Sequence, residues 1–202
     1  MNAELLTVMP ISGTIRERHY DVSGSSNAWV RFDDGAGDEW VGVFGAGEPS
    51  RFYTVLPFDD DAGVTALVIA GGQGYVVNTT SGELLRRTEW WYSQTAIAPP
   101  TRDFVIVADD TRAWAAGRII DRPVWRREAA NYDFQPRSPA QGLALDGIVF
   151  QQASPDEVIG RVWEPDGWYS CSIDLWSLEF RRGVFLSTDW QFESAAQRSN
   201  DR

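Results

Sequence analysis

Short apolar and β-branched runs recur along the chain, and each is closed by glycine, aspartate or proline. Residues 64–70 end at Gly71-Gly72, and residues 103–108 end at Asp109-Asp110. Residues 74–78, 143–150, 158–163 and 168–173 repeat the pattern. Runs of about four to eight such residues between turn residues are typical of β-strands. The pattern predicts an all-β, antiparallel protein, and only residues 121–131 and 193–202 are candidates for short helices.

Two segments share a plan of strand, polar turn and strand. In residues 75–85 the turn runs from Asn78 to Gly82, where an Asn side chain can cap its own backbone and glycine permits positive φ. Residues 169–180 repeat the plan 96 residues later, with Asp174 in the place of Asn78. Both segments resemble the outer hairpins of β-propeller blades. That resemblance implies blade-like repeats of about 40–50 residues, hence a small propeller-like fold. The alternative is a twisted antiparallel sheet or sandwich.

Length predicts one domain, which we place at residues 1–192, followed by a polar C-terminal tail at residues 193–202. No apolar run approaches the roughly 20 residues that a membrane-spanning helix needs. The N-terminus has no basic region followed by a long apolar stretch, so no secretory signal is expected. A single cysteine cannot form an internal disulfide. These features predict a cytoplasmic protein.

The residue composition limits the catalytic and metal-binding mechanisms that are open to this chain. His19 is the only histidine, Cys171 the only cysteine, and all 18 basic residues are arginine. A Ser-His-Asp site would need His19, a four-ligand Cys/His zinc site cannot form in one chain, and lysine-dependent mechanisms are excluded. The acid clusters that remain do not follow the alternating calcium-loop pattern, and we expect them to be solvated loop residues. The sequence therefore predicts no catalytic residue, no cofactor and no metal.

The net charge of −11 affects the choice of partner. Nucleic acids and anionic membranes require basic groups on the protein, so neither is an expected partner. A negative field attracts a basic protein and speeds the encounter, although it also serves solubility alone.

Most of the ten tryptophans are expected to pack within or against the sheets. Trp90 and Trp91 are adjacent, and since neighbouring side chains of a strand point to opposite faces, one of them should be exposed. Trp163 and Trp168 flank a tight hairpin, where they form either a cross-strand aromatic pair or a platform for a sugar.

Acidity, surplus tryptophan and few catalytic groups together favour a non-enzymatic protein-binding module. In composition and size the chain resembles the cytoplasmic immunity proteins that bacteria pair with toxins, which implies a basic partner such as a toxin domain. The alternatives are a carbohydrate-binding or carboxylate-dependent carbohydrate-active protein and a structural subunit of an assembly. The candidate partner-binding residues are Asp33, Asp34, Asp38, Glu39, Asp59, Asp60, Asp61, Trp90, Trp91, Trp163 and Trp168.

Overall fold

The computed structural model describes residues 2–11, 13, 15–22, 26–33, 38–47, 52–60, 63–88, 93–109, 112–126, 147–164 and 166–188. Across these residues the chain forms sixteen β-strands in four four-stranded sheets. The described residues include no helix that could span a membrane. The all-β prediction is confirmed for this part of the chain.

Each sheet is built from consecutive strands. The first contains β1 (Asn2–Leu6), β2 (Arg16–Tyr20), β3 (Asn27–Asp33) and β4 (Glu39–Gly45), in the order β1-β3-β4-β2 with β2 parallel to β4. The other three are antiparallel and follow chain order. They contain β5 (Thr54–Asp60), β6 (Gly63–Ala70), β7 (Gln73–Asn78) and β8 (Leu84–Arg87); β9 (Thr95–Ile97), β10 (Phe104–Ala108), β11 (Arg112–Gly117) and β12 (Asp121–Arg126); and β13 (Ile148–Ala153), β14 (Glu157–Glu164), β15 (Gly167–Asp174) and β16 (Phe180–Ser187).

The helix predicted at residues 121–131 is wrong over its first half, which forms strand β12. Pro123 disfavours a helix interior but is tolerated on an edge strand, and β12 is an edge strand of the third sheet. Val124 and Trp125 pack against apolar clusters between the third and fourth sheets. Residues 127–131 and the tail at 193–202 lie outside the described residues.

The two predicted hairpins are present as β7–β8 and β15–β16, and their turns match closely. In each, the side-chain oxygen of the first residue, Asn78 or Asp174, accepts the backbone N–H groups two and three residues further on, at 3.0 and 2.8 Å. The fifth residue has positive φ, 67° at Gly82 and 57° at Leu178. The turn geometry is therefore shared, although the second turn has leucine where the first has glycine.

The sheets pack face to face in series. The residues of strand β6 are almost all apolar because both of its faces are covered. Ala66 and Val68 face the first sheet, while Leu67 and Ile69 face the third. A strand buried on both faces has no polar face to alternate with. Further clusters join the third and fourth sheets through β10 and β14.

Buried polar contacts fix the first sheet against the second. The Tyr20 hydroxyl donates to the Gly82 carbonyl at 2.5 Å, and the Trp40 indole N–H donates to the Thr79 carbonyl at 2.7 Å. Both acceptors lie in the β7–β8 turn. Tyr20 and Trp40 of the first sheet therefore hold the β7–β8 turn of the second sheet in place.

Candidate interaction surface around Trp176

The structure gathers some of the predicted acidic residues at one hairpin. Asp33 ends β3, Asp38 precedes β4, and Glu39 begins β4; all three are exposed. Glu39 also lies 3.4 Å from the guanidinium of Arg31, which offsets part of its charge.

The remaining predicted acids belong to β5 and its loop. Asp59 and Asp60 are the last two residues of β5, where only the backbone is described, and Asp34 and Asp61 lie outside the described residues.

The predicted tryptophan sites are not all surface features. Trp163 and Trp168 are cross-strand partners in β14 and β15, with ring centroids 5.3 Å apart and planes at 69°. Trp168 is 0% exposed, so a partner cannot reach it in this conformation, while Trp163 is half-buried. The pair is a packing pair, which corrects the expectation of Trp168 as a contact residue. Trp90 and Trp91 lie outside the described residues.

The most exposed described tryptophan is Trp176, which sequence reasoning missed. It lies in the β15–β16 turn and is 73% exposed. Its indole N–H donates to Asp156 Oδ1 at 2.9 Å. The guanidinium carbon of Arg102 lies 3.9 Å from the ring centroid. The indole is therefore held along one edge and over one face while most of it stays accessible.

Hydrogen bonds from two arginines fix the surroundings of Trp176. Arg102 donates two N–H groups to the Pro155 carbonyl, at 2.9 and 3.1 Å. Arg122 in β12 donates to the Ser177 carbonyl at 2.8 Å. The site thus joins the loop before β10, the β13–β14 turn and the β15–β16 turn.

A second exposed apolar residue lies in the neighbouring turn of the third sheet. Ile119, between β11 and β12, is 73% exposed. Ile120, the next residue, packs in the same apolar cluster as Leu175 and Leu178, which flank the Trp176 turn. The two turns therefore lie side by side, and we call Ile119, Trp176, Asp156 and Arg102 the Trp176 surface.

The Ile119 turn is also held by a single guanidinium from the second sheet. Arg86 donates to the carbonyls of Arg118, Ile119 and Ile120, at 3.1, 3.5 and 3.2 Å. It also lies 3.2 Å from the Asp121 carboxylate. Backbone carbonyls that would otherwise need solvent are satisfied, which orders the turn.

Charges of both signs surround the Trp176 turn, since Arg102 lies over the ring and Arg181 pairs with Glu179 at 2.8 Å. Asp156, Glu157, Asp174 and Glu179 are all in or next to the two turns of the fourth sheet. The backbone N–H of Ser177, and to a smaller extent its hydroxyl, donate hydrogen bonds that lower the pKa of the Asp174 carboxyl. Asp174 therefore remains ionised at neutral pH.

The reactive groups singled out by composition lie apart from this surface. His19 is in β2 and lies 3.2 Å from the Glu17 carboxylate. Cys171 is buried in β15, and burial raises the pKa of its thiol to about 12. Among the described residues no three His, Cys, Asp or Glu side chains are grouped for a metal ion. The Trp176 surface presents an exposed indole face for stacking and the charged side chains of Asp156 and Arg102.

A position-by-position comparison of the two hairpins would have found Trp176. Aligning Asp174 with Asn78 places Trp176 at Thr80, a turn position that is exposed in the second sheet. The alignment therefore predicts that Trp176 is exposed.

Comparison of the chain with known protein families, with curated proteins and with solved structures finds no match in any of the three.

Proposed function

We propose that this chain is a non-enzymatic, acidic protein-binding module that acts in the cytoplasm to neutralise a basic partner such as a toxin domain. The observation that carries the proposal is the pre-ordered, 73% exposed indole of Trp176. Tryptophan is enriched at interface hot spots, and a side chain already held in place loses less entropy on binding. This role matches that of immunity and inhibitor proteins.

Charge supports a basic partner. The chain carries a net charge of −11. The Asp156 carboxylate accepts the indole N–H of Trp176, and the Asp174 carboxylate accepts its backbone N–H. A charge field of this sign raises the association rate of a cationic protein and is weakened by salt. The acidic hairpin at Asp33, Asp38 and Glu39 adds to the same field.

The test is binding to the product of the neighbouring gene, measured by pull-down and calorimetry. Trp176→Ala should weaken binding by about 2 kcal/mol or more, roughly thirtyfold, as hot-spot substitutions do. Thr80→Ala is the matched control, because Thr80 occupies the equivalent exposed position of the β7–β8 turn. Added salt should also weaken binding. If the gene product does not bind, or binds Trp176→Ala as well as wild type, the proposal is wrong.

A carbohydrate-binding role is the second candidate, because an exposed indole face also stacks on sugar rings. In that case oligosaccharides would quench tryptophan fluorescence and Trp176→Ala would abolish the quenching. A carbohydrate-active enzyme would in addition lose turnover on substitution of one Asp or Glu.

A structural subunit is the third candidate, favoured by the outer edge of the fourth sheet. Strand β16 lies at that edge and exposes Val184, Phe185 and Leu186. Edge strands with exposed apolar residues can pair with another chain. This role predicts a stable oligomer in light scattering.

We also propose that the four sheets form a propeller-like ring rather than an open row. The first strands of neighbouring sheets contact one another, β1 with β5 and β9 with β13. Val41 in the first sheet and Trp168 in the fourth are 0% exposed, although neither belongs to the apolar clusters between successive sheets. A ring would cover both residues by bringing the outer faces of these sheets together. Small-angle X-ray scattering tests this, since an open row has the longer maximum dimension.

A further inference from the structure

We infer that the open face of Trp176 receives an arginine side chain of the partner, so that the indole lies between two guanidinium groups with Asp156 as counter-ion. This inference rests on the proposed function and names the chemical group that the surface recognises.

One half of this arrangement is already present. The Arg102 guanidinium lies 3.9 Å from the ring centroid, the distance of a stacked contact. Two hydrogen bonds to the Pro155 carbonyl hold it there. With Arg102 on one face and the indole 73% exposed, the opposite face is the accessible one.

The electrostatics of the indole favour a cation on that face. The face of an indole is electron-rich and attracts guanidinium groups. Asp156 accepts the indole N–H, which places a full negative charge at the ring edge. Asp156 is exposed, so it remains accessible to a second donor. The repulsion between two guanidinium groups across the ring is opposed by this carboxylate.

The same geometry distinguishes arginine from other ligands. A planar guanidinium can stack on the ring while its edge N–H groups reach a carboxylate, whereas an ammonium is a strongly hydrated point charge. An anion at the ring edge would face the Asp156 carboxylate. Of the arginines near the turn, Arg102 donates to the Pro155 carbonyl, Arg122 to the Ser177 carbonyl and Arg181 to the Glu179 carboxylate.

The test uses the full chain and a small probe, N-acetyl-arginine N-methylamide. The uncharged isostere N-acetyl-citrulline N-methylamide is the matched ligand control. The readout is the indole ¹H–¹⁵N resonance of Trp176, assigned by its loss in Trp176→Phe. We expect the arginine probe to shift this resonance saturably in the millimolar range and the citrulline probe to bind at least fivefold more weakly. Asp156→Asn should weaken the arginine probe severalfold, whereas Thr80→Ala should leave it unchanged.

Equal shifts from the arginine and citrulline probes, or no shift from either, overturn the inference. A shift caused by an oligosaccharide and not by the arginine probe also overturns it and supports the carbohydrate role.

Failure of this inference can be told from failure of the proposed function. If the neighbouring gene product binds through Trp176 while the arginine probe has no effect, the proposed function stands and the arginine stack is wrong. If the arginine probe binds but the basic protein does not, the proposed function is wrong and the cation site remains. Thermal unfolding of each variant shows that it is folded before binding is compared.

Discussion

The Asp174 carboxylate accepts the backbone N–H of Trp176 at 3.0 Å, so the first residue of the β15–β16 turn fixes the backbone that carries the exposed indole. The same oxygen accepts the backbone N–H and the hydroxyl of Ser177, at 2.8 and 2.9 Å. The equivalent oxygen in the second sheet is the amide oxygen of Asn78. A neutral acceptor is therefore sufficient to close this turn.

Substitutions of Asp174 should separate turn geometry from charge. Asp174→Ala removes the acceptor for three donors, so we expect a lower melting temperature and weaker partner binding. Asp174→Asn should keep the turn, as Asn78 does, and melt close to wild type. Thermal denaturation and calorimetry measure both effects. Equal losses in the two variants would show that the charge, not the acceptor, stabilises the turn.

The pH dependence of the same residue follows from the sign of its shift. Hydrogen bonds from Ser177 lower the folded-state pKa of Asp174 below its unfolded value. The resulting stabilisation is present above the unfolded pKa and is lost as pH falls through the folded pKa. Denaturant unfolding from neutral pH into the acid range should show a shallower acid loss for Asp174→Asn than for wild type. Parallel curves would contradict this prediction.

The strand pattern could be predicted where both sheet faces are buried. Residues 64–70 correspond to β6 and residues 103–108 to β10, because strands covered on both sides must be apolar throughout. Strand β2, with the sequence Arg-Glu-Arg-His-Tyr, carries no such signal. Its parallel pairing with β4 depends on contacts distant in sequence, which local patterns do not contain.

The candidate site was harder to predict because it depends on positions within turns. Residue type identifies the turn at residues 174–178, but it does not show that position 176 of that turn is exposed. The conformation of Leu178 is equally hard to predict from residue type, because its φ of 57° is one that glycine adopts most easily. Its side chain is nevertheless buried in an apolar cluster. Burial can offset the cost of that conformation, which is about 1–2 kcal/mol.

Gly82 should tolerate substitution poorly for two separable reasons. Its φ is 67°, and an added Cβ would lie 2.5 Å from Cδ and Nε of Arg18. Gly13→Ala is the matched control, since Gly13 has φ of 86° and nothing within 4 Å of an added Cβ. We expect Gly13→Ala to cost about 1 kcal/mol and Gly82→Ala about 2 kcal/mol in urea unfolding. Equal costs would mean that Arg18 moves aside freely.

The contribution of Tyr20 to the stability of the fold should be lost at alkaline pH. Burial raises its pKa to about 12, and its hydroxyl donates to the Gly82 carbonyl. A raised folded-state pKa means stabilisation that is complete below the unfolded value of about 10 and is lost as pH rises toward 12. Tyr20→Phe should cost about 1 kcal/mol at neutral pH and show a smaller further loss in alkali. Denaturant unfolding across this range is the measurement, and the same alkaline loss in both proteins would refute the assignment.

Cys171 should report on the opening of the fourth sheet. It is 6% exposed, and burial raises the pKa of its thiol to about 12, so the native thiol should react slowly with an aromatic disulfide reagent. Val162 packs in the same cluster, and Val162→Ala should destabilise the sheet by about 1–2 kcal/mol and speed labelling about tenfold. Val184→Ala, at an exposed position of β16, is the control and should leave the rate unchanged. Because the chain has one thiol, the labelling rate refers to this site alone. Native labelling as fast as that of the unfolded chain would show that Cys171 is accessible.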